Sequence, residues 1–282
     1  MSHSTSTDPL AFLDEELAAL DRRSLRRTLR SFEPAGPNVV RDVKTGRTLL
    51  LLCGNGYLGL EQHPALVERA QQELARSGTG AGAARLVSGT RRVHEDLEGA
   101  ICDLKQQEAA LLFPTGFAAN LGVLAALAGR GDVIFADALN HASLVDGCKA
   151  ARARGATVRT YRHSDLDHLQ HLFALDETPR RRLIVTDGVF SMDGDLAPLP
   201  ELADFAEAEG AILVVDDAHG TGILGASGGG AADALGCTHR IPVHVGTLSK
   251  ALGSQGGFVA GSRRLIEWLL QSARSFVFTT GL

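Results

Sequence analysis

The feature that most constrains the fold is a regular alternation that begins near residue 108. Short apolar runs of strand length occupy residues 109–113, 133–136, 157–161, 183–186, 212–215, 243–245 and 258–260. Between most of them lie stretches of helix length, among them 116–127, 142–154 and 199–209. Parallel strands need a crossover of a dozen or more residues, usually a helix. The alternation therefore predicts an α/β fold, a mostly parallel sheet flanked by helices on both faces. In such sheets ligands bind beyond the carboxyl ends of the strands. The residues just after each apolar run are thus the ones expected to carry chemistry.

The chain ahead of this pattern reads differently. Asp8 is placed to cap a helix with Pro9 in its first turn, and Leu10, Leu13, Leu17 and Leu20 follow at helical spacing. Basic residues from Arg22 to Arg30 load its end, as the helix dipole prefers. Residues 39–43 and 47–53, joined by Lys44-Thr45-Gly46, predict a hairpin. This gives an N-terminal helix and hairpin segment over 1–53 and a large domain over 54–282. The Gly/Ala-rich stretch 225–236 is expected to be a loose loop. The uncharged tail Phe278-Thr279-Thr280-Gly281-Leu282 reads as a stop inside a longer protein.

Composition excludes several classes. The formal charge of −5, from 33 acidic and 28 basic residues, opposes a nucleic-acid or membrane-surface binder. No apolar run approaches 18 residues, and the first eight residues lack a basic-then-apolar secretory signal. Cys53, Cys102, Cys148 and Cys237 are scattered without a CxxC pair, which excludes a Cys-rich zinc site and suits a reducing, cytoplasmic setting. Only four lysines stand among 24 arginines, so a lysine in unusual surroundings stands out.

The strand ends supply such a lysine. Lys250 lies in Gly246-Thr247-Leu248-Ser249-Lys250-Ala251-Leu252-Gly253, among small and apolar residues. Burial there would depress its pKa and make it a usable amine nucleophile. Asp216-Asp217-Ala218-His219 follows an apolar strand, and two carboxylates there are costly unless each has a partner. A metal is one partner, but no further Asp/His cluster completes a ligand set. A protonated ring nitrogen is the better one. Thr115-Gly116-Phe117 opens a helix after a strand, where free N–H groups favour a phosphate. Asp137-Ala138-Leu139-Asn140-His141 and the turn around Ser191 end two more strands. Taken singly, each has an ordinary structural reading as a cap or turn. Together they match pyridoxal phosphate, which needs a Schiff-base lysine, a carboxylate for its ring nitrogen and donors for its phosphate.

At this point the chain resembles the α-oxoamine synthases, pyridoxal-phosphate enzymes of fold type I with the class I/II aminotransferase architecture. The resemblance rests on Gly-Thr-Leu-Ser-Lys250-Ala-Leu-Gly, Asp216-Asp-Ala-His219-Gly-Thr-Gly and Phe190-Ser-Met-Asp-Gly-Asp195, and it runs from about Arg26 to Leu282. It implies an acyltransferase that condenses an amino acid with an acyl-CoA or acyl-ACP and releases carbon dioxide. The Asp-Asp-Ala-His and Ser-Lys-Ala-Leu-Gly-Ser-Gln-Gly-Gly runs are most similar to the branch that uses L-alanine and a pimeloyl thioester in biotin biosynthesis. The glycine-using branch tends to carry Ser-His-Ala-Val-Gly. The resemblance implies Lys250 as Schiff-base residue and α-proton base, and Asp216 on the pyridine nitrogen. It places His219 on the ring hydroxyl, His141 stacked on the ring within reach of the substrate carboxylate, and Ser191 beside the ring. Thr247 with the N–H groups of Gly116 and Phe117 would bind phosphate. Arg26 is the implied acyl-substrate contact, with Arg22, Arg23 and Arg27 as neighbours that could serve instead. Asn55-Gly56-Tyr57-Leu58-Gly59-Leu60 resembles a family segment near the active site, with Gly56 departing from its usual Asp or Asn. A homodimer with shared active sites is implied, and no metal. Family members continue into a small C-terminal domain carrying an arginine for the substrate carboxylate, which is expected to be missing here. A catalytically silent cofactor-binding subunit is therefore the rival class.

Overall fold

The computed structural model of the protein describes residues 8–175 and 179–282. Most of the polar N-terminal stretch read above for a secretory signal lies outside the described residues. Two compact units divide the chain, Met1–Gly54 and Asn55–Leu282.

In the first unit, helix α1 spans Phe12–Arg22 and strands β1 (Phe32–Gly36), β2 (Val39–Asp42) and β3 (Thr48–Leu50) form an antiparallel sheet in that order. The helix starts later than the Asp8-Pro9 signal predicts. The Asp8 carboxylate accepts the Leu10 N–H at 2.9 Å, and the chain first closes a tighter turn, Ala11 N–H to Asp8 C=O at 3.2 Å. The hairpin forms, though its second strand covers only 48–50 of the 47–53 expected, and Asp42 ends its first strand by accepting the Lys44 and Thr45 N–H groups. Strand β1 was not read from the sequence, and it contains Pro34. It is tolerated because β1 is an edge strand, where one side needs no ladder donor.

The second unit opens with α2 (Pro64–Ser77) and α3 (Arg92–Lys105) and then alternates: β4 (Ala109–Phe113), α4 (Gly116–Leu127), β5 (Asp132–Asp137), α5 (Ala142–Ala153), β6 (Thr157–Tyr161), α6 (Leu166–Phe173), β7 (Arg181–Asp187), α7 (Leu199–Glu209) and β8 (Ile212–Asp216). The short α8 (Ala231–Ala234), β9 (Val243–Thr247), β10 (Gly257–Gly261), α9 (Arg263–Ser272) and α10 (Arg274–Val277) follow. The seven strands lie in the order β4-β10-β9-β8-β7-β5-β6. All pairings are parallel except those of β10, which runs antiparallel to both β4 and β9. Strand β4 therefore points the same way as β9, and the carboxyl ends of β4 to β9 share one edge.

Alternation along the strands builds a core on each face. Ile134, Leu183, Val185, Val214 and Val245 pack with Leu124, Leu144 and Leu269 of α4, α5 and α9. Phe135, Ile184, Leu213 and Val215 pack with Leu169, Leu199 and Leu202 of α6 and α7. Neighbouring residues of one strand thus serve opposite layers, the double coverage that a parallel sheet requires.

The expectation of a loose stretch over 225–236 is corrected. Ala231 and Ala232 are buried, and Asp233 Oδ2 accepts the Ser227 and Gly229 N–H groups and the Ser227 hydroxyl. Small residues here serve close packing, which composition alone cannot distinguish from looseness.

Candidate active site

The ladder registers bring the strand ends together. Gly257 of β10 lies opposite both Phe113 and Thr247, Asp216 lies beside Asp187, and Tyr161 lies beside Asp137. The segments beginning at Pro114, Asp137, Asp187, Asp216 and Thr247 therefore leave the sheet side by side. A Cβ on Gly257 would come within 2.4 Å of the Gly116 nitrogen, so only glycine lets β10 begin hard against the first turn of α4. Thr115 caps that helix, its hydroxyl accepting the Ala118 N–H at 3.0 Å, and leaves the amides of Gly116 and Phe117 at the helix start. The Thr247 hydroxyl donates to the Gly256 carbonyl at 2.8 Å and accepts the Ser249 N–H, which fixes the turn leading to Lys250.

Lys250 is half-buried. Burial pushes its pKa down, and the carboxylates of Asp216 and Asp187 oppose that shift. Asp216 is buried, and burial pushes its pKa up although Asn120 Nδ2 donates to it at 2.5 Å and Lys250 sits in its field. Asp187 is raised for the same reason and by repulsion from Asp216. Two buried carboxylates share this edge with one desolvated amine, and an incoming cationic ring nitrogen would stabilise the ionised pair. His219 is pushed down to about 4 by burial and by the charges of Lys250 and His141. It is neutral at physiological pH, with Nδ1 at 2.7 Å from the Tyr57 hydroxyl. His141 is the exposed N-cap of α5, and its backbone N–H donates to Asp187 Oδ2 at 2.7 Å. Ser191 is exposed on the turn beyond β7.

These groups meet the demands of pyridoxal phosphate: a buried carboxylate held by neutral donors and, among the described residues, lacking a tight cationic partner, an amine of lowered basicity, and a helix N-terminus with a neighbouring hydroxyl. Arg26 belongs to the N-terminal unit, where its Nη1 pairs with Asp21 Oδ2 at 2.7 Å. Among the described residues no cluster of three or more His, Cys, Asp or Glu side chains could hold a metal ion.

The second carboxylate of the Asp-Asp pair has its own explanation. Lys105 is completely buried, and its Nζ donates to Asp217 Oδ2 at 2.8 Å, Thr221 Oγ1 at 2.8 Å and the Gly229 carbonyl at 2.7 Å. Asp217 also accepts the Ala231 N–H. This buried knot ties the end of α3 to the 225–231 segment and holds the backbone between Asp216 and His219. Sequence reading passed over Lys105, Asn120 and Asp187 as site components, and it gave Tyr57 no role beyond its place in a segment near the site. A lysine closing an otherwise amphipathic helix carries no local mark of its burial.

The turn that carries Ser191 is held by His163. Its Nδ1 lies 3.0 Å from Asp137 Oδ1, its Nε2 lies 2.8 Å from Asp195 Oδ2, and its ring meets Phe190 edge-on at 4.4 Å. Burial alone would lower its pKa, but the two carboxylates raise it above 6.5. The stabilisation is therefore complete below the ordinary histidine value and lost as pH rises through the raised one. Thermal melts of the wild type should fall over roughly pH 6 to 8 by on the order of 2 °C more than those of His163→Gln. Parallel profiles would refute the clamp.

The comparisons with known proteins agree with this geometry. The aminotransferase class I and II family model matches residues 47–282. A protein of Geobacter metallireducens named 8-amino-7-oxononanoate synthase is 52% identical over 268 residues, which are 95% of this chain and 67% of that one. A protein of the same name from an Anaeromyxobacter species is 53% identical over 274 residues, 96% of this chain and 67% of that one. Among solved structures, a serine palmitoyltransferase from S. paucimobilis carrying a PLP–myriocin aldimine superposes with a TM-score of 0.88 at 31% identity, covering 97% of this chain and 68% of that one. The 8-amino-7-oxononanoate synthase of Francisella tularensis superposes with a TM-score of 0.68 at 30% identity, covering 82% and 63%. The chain thus spans about two thirds of the length of these relatives. With the sheet order, the strand-end lysine and the facing carboxylates in place, the chain belongs to the aminotransferase class I and II family of pyridoxal-phosphate enzymes.

Proposed function

We propose that the protein condenses L-alanine with a pimeloyl thioester, carried on CoA or acyl carrier protein, to give 8-amino-7-oxononanoate, carbon dioxide and the free thiol carrier in biotin biosynthesis. The observation that carries the chemistry is the half-buried Lys250 facing the buried Asp216 and Asp187 at the carboxyl edge of the sheet. The choice of substrates rests on identity. Proteins named 8-amino-7-oxononanoate synthase reach 53%, while the serine palmitoyltransferase compared above stands at 31%.

Bound pyridoxal phosphate supplies an electron sink for the pair left on the substrate Cα. The chain supplies the rest. The lowered basicity of Lys250 leaves more of its amine unprotonated, ready to hold the cofactor and then to take the α-proton. Asp216, ionised against the ring nitrogen, keeps a proton there. His219 is neutral and offers its Nε2 to the ring hydroxyl while Tyr57 holds its other nitrogen. His141 would cover the ring and reach the substrate carboxylate, and Ser191 would steady the ring edge. Gly116, Phe117 and Thr247 would surround the phosphate. The new bond joins Cα to the acyl carbon as the thiolate leaves. The Cα–carboxylate bond then breaks to release carbon dioxide, and the proton taken up by Lys250 returns to Cα to neutralise the pair left there.

The working unit in this reading is a cytoplasmic homodimer. Phe117, Leu139, Val145 and Met192 are exposed on or next to the strand-end loops, apolar surface that a second copy would cover. The four cysteines are free, and among the described residues no helix is long and apolar enough to cross a membrane.

Turnover tests the assignment. Alanine, glycine and serine are each paired with pimeloyl, acetyl and palmitoyl thioesters, in material whose sedimentation is recorded with cofactor bound. Alanine with the pimeloyl thioester should exceed every other pair by about 10-fold or more in kcat/KM, the discrimination that pocket contacts can supply. Preference for serine and palmitoyl would reassign the substrates. Cofactor binding without any turnover would favour the silent subunit.

A further inference from the structure

Two buried polar residues that the proposed chemistry leaves unused lie between His141 and Asp216. Asn120, one turn into α4, and Ser143, in the first turn of α5, are each 1% exposed. Asn120 Nδ2 is 2.5 Å from Asp216 Oδ2 and 2.8 Å from Ser143 Oγ. Ser143 Oγ is in turn 2.7 Å from His141 Nδ1, and the Ser143 backbone N–H points at the same nitrogen from 3.3 Å. The helices can approach this closely because α5 carries Gly147 where they meet. A Cβ there would lie 3.0 Å from the Asn120 carbonyl oxygen and 2.9 Å from Leu124 Cδ1.

Counting hydrogens gives the chain a direction. An ionised carboxylate only accepts, so the amide must turn its NH2 to Asp216. Its second hydrogen goes to Ser143 Oγ. That hydroxyl then has one hydrogen left, and His141 Nδ1 is its acceptor. An imidazole nitrogen that receives two donors carries no proton, so the proton sits on Nε2. Asn120 Oδ1 is left buried without a partner, which is the cost of holding the amide in this orientation.

We propose that Asn120 and Ser143 are positioning residues that transmit the charge of Asp216 to His141 and fix His141 as the Nε2–H tautomer. His141 then presents an N–H donor, suited to a carboxylate or carbonyl oxygen, wherever Asp216 is ionised. This rests on the reading of His141 and Asp216 as site residues, but its test is independent of turnover.

The experiment is nitrogen NMR of histidine-labelled protein in alkaline buffer, which favours the ionised form of the buried carboxylates, with and without pyridoxal phosphate. His141 is assigned by the signal lost in His141→Gln. The wild type should show an unprotonated Nδ1 and a protonated Nε2. Asn120→Asp replaces the donor by an acceptor, so Ser143 should donate the other way and His141 should switch to the Nδ1–H form. Ser143→Ala, smaller by one oxygen, serves if Asn120→Asp fails to fold. There the single tautomer should give way to a mixture, and Ser143→Thr should restore it. A wild-type His141 protonated on Nδ1, or an Nε2–H form unchanged in Ser143→Ala, overturns the proposal. If the added cofactor fails to shift the His141 signals, the placement of His141 in the site fails instead, while the tautomer result stands.

Discussion

Lys250→Ala is expected to abolish turnover, with a loss of at least about 10⁴-fold, because one side chain serves as both cofactor anchor and proton acceptor. The wild type loaded with pyridoxal phosphate should be fixed to its cofactor by borohydride at Lys250, and the variant should not. The structure shows why no other lysine should substitute. Lys105 is wholly buried and engaged by three acceptors, and Lys149 pairs with Asp146 at 2.8 Å on the exposed face of α5. Peptide mapping after reduction decides the point. Label recovered on Lys44, Lys105 or Lys149 would remove Lys250 from its role. The variant should keep the fold, because among the described residues Lys250 makes no tight ion pair whose loss would strand a partner.

Lys105→Ala has the opposite profile, a large loss of stability from a residue that touches no substrate. Its ammonium is the only cation paired with the buried Asp217 among the described residues, and removing one partner of a buried pair costs about 3–5 kcal/mol. Urea unfolding should show that loss as a lower midpoint with an unchanged slope. Lys105→Met combined with Asp217→Leu should recover most of it, since both charges leave together, although the Ala231 N–H then lacks its acceptor, which costs about 1–3 kcal/mol. If Lys105→Ala unfolds at the wild-type midpoint, the knot is not what holds the 225–231 segment. Cofactor should also bind more weakly to Lys105→Ala, because Asp216 and His219 flank the carboxylate that Lys105 secures.

Much of this was legible in the sequence because parallel sheets write themselves locally. Most of the buried strands are continuous apolar runs: β4 matches its predicted span, and β5, β7, β8, β9 and β10 extend theirs by one or two residues at one or both ends, while the edge strand β6, Thr-Val-Arg-Thr-Tyr, matches its span on alternation and not on an apolar run. Lys250 and Asp216 stood out because a charge beside such a run demands a partner. The residues that answer that demand were not legible. Asn120 reaches Asp216 across 96 residues of chain, Lys105 reaches Asp217 across 112, and Tyr57 reaches His219 across 162. No local pattern encodes pairings of that length. The late start of α1 had a different cause: Asp8 and Pro9 fit a turn as well as a helix cap, and only the backbone geometry separates the two.

The antiparallel strand β10 has a consequence for how the protein is made. It is the last of the described strands in the chain, yet it lies between β4, the first strand of its sheet, and β9. Residues 109–113 therefore cannot join the sheet until residues 257–261 have left the ribosome. The block from β5 to β9 can assemble during synthesis, while β4 waits with an unpaired apolar edge. Pairings of such long sequence separation are slow to form, and exposed strand edges are where chains associate wrongly. Refolding of the protein should accordingly have a late phase in which β4 becomes protected, and chaperone dependence should be concentrated in the interval between the synthesis of these two strands.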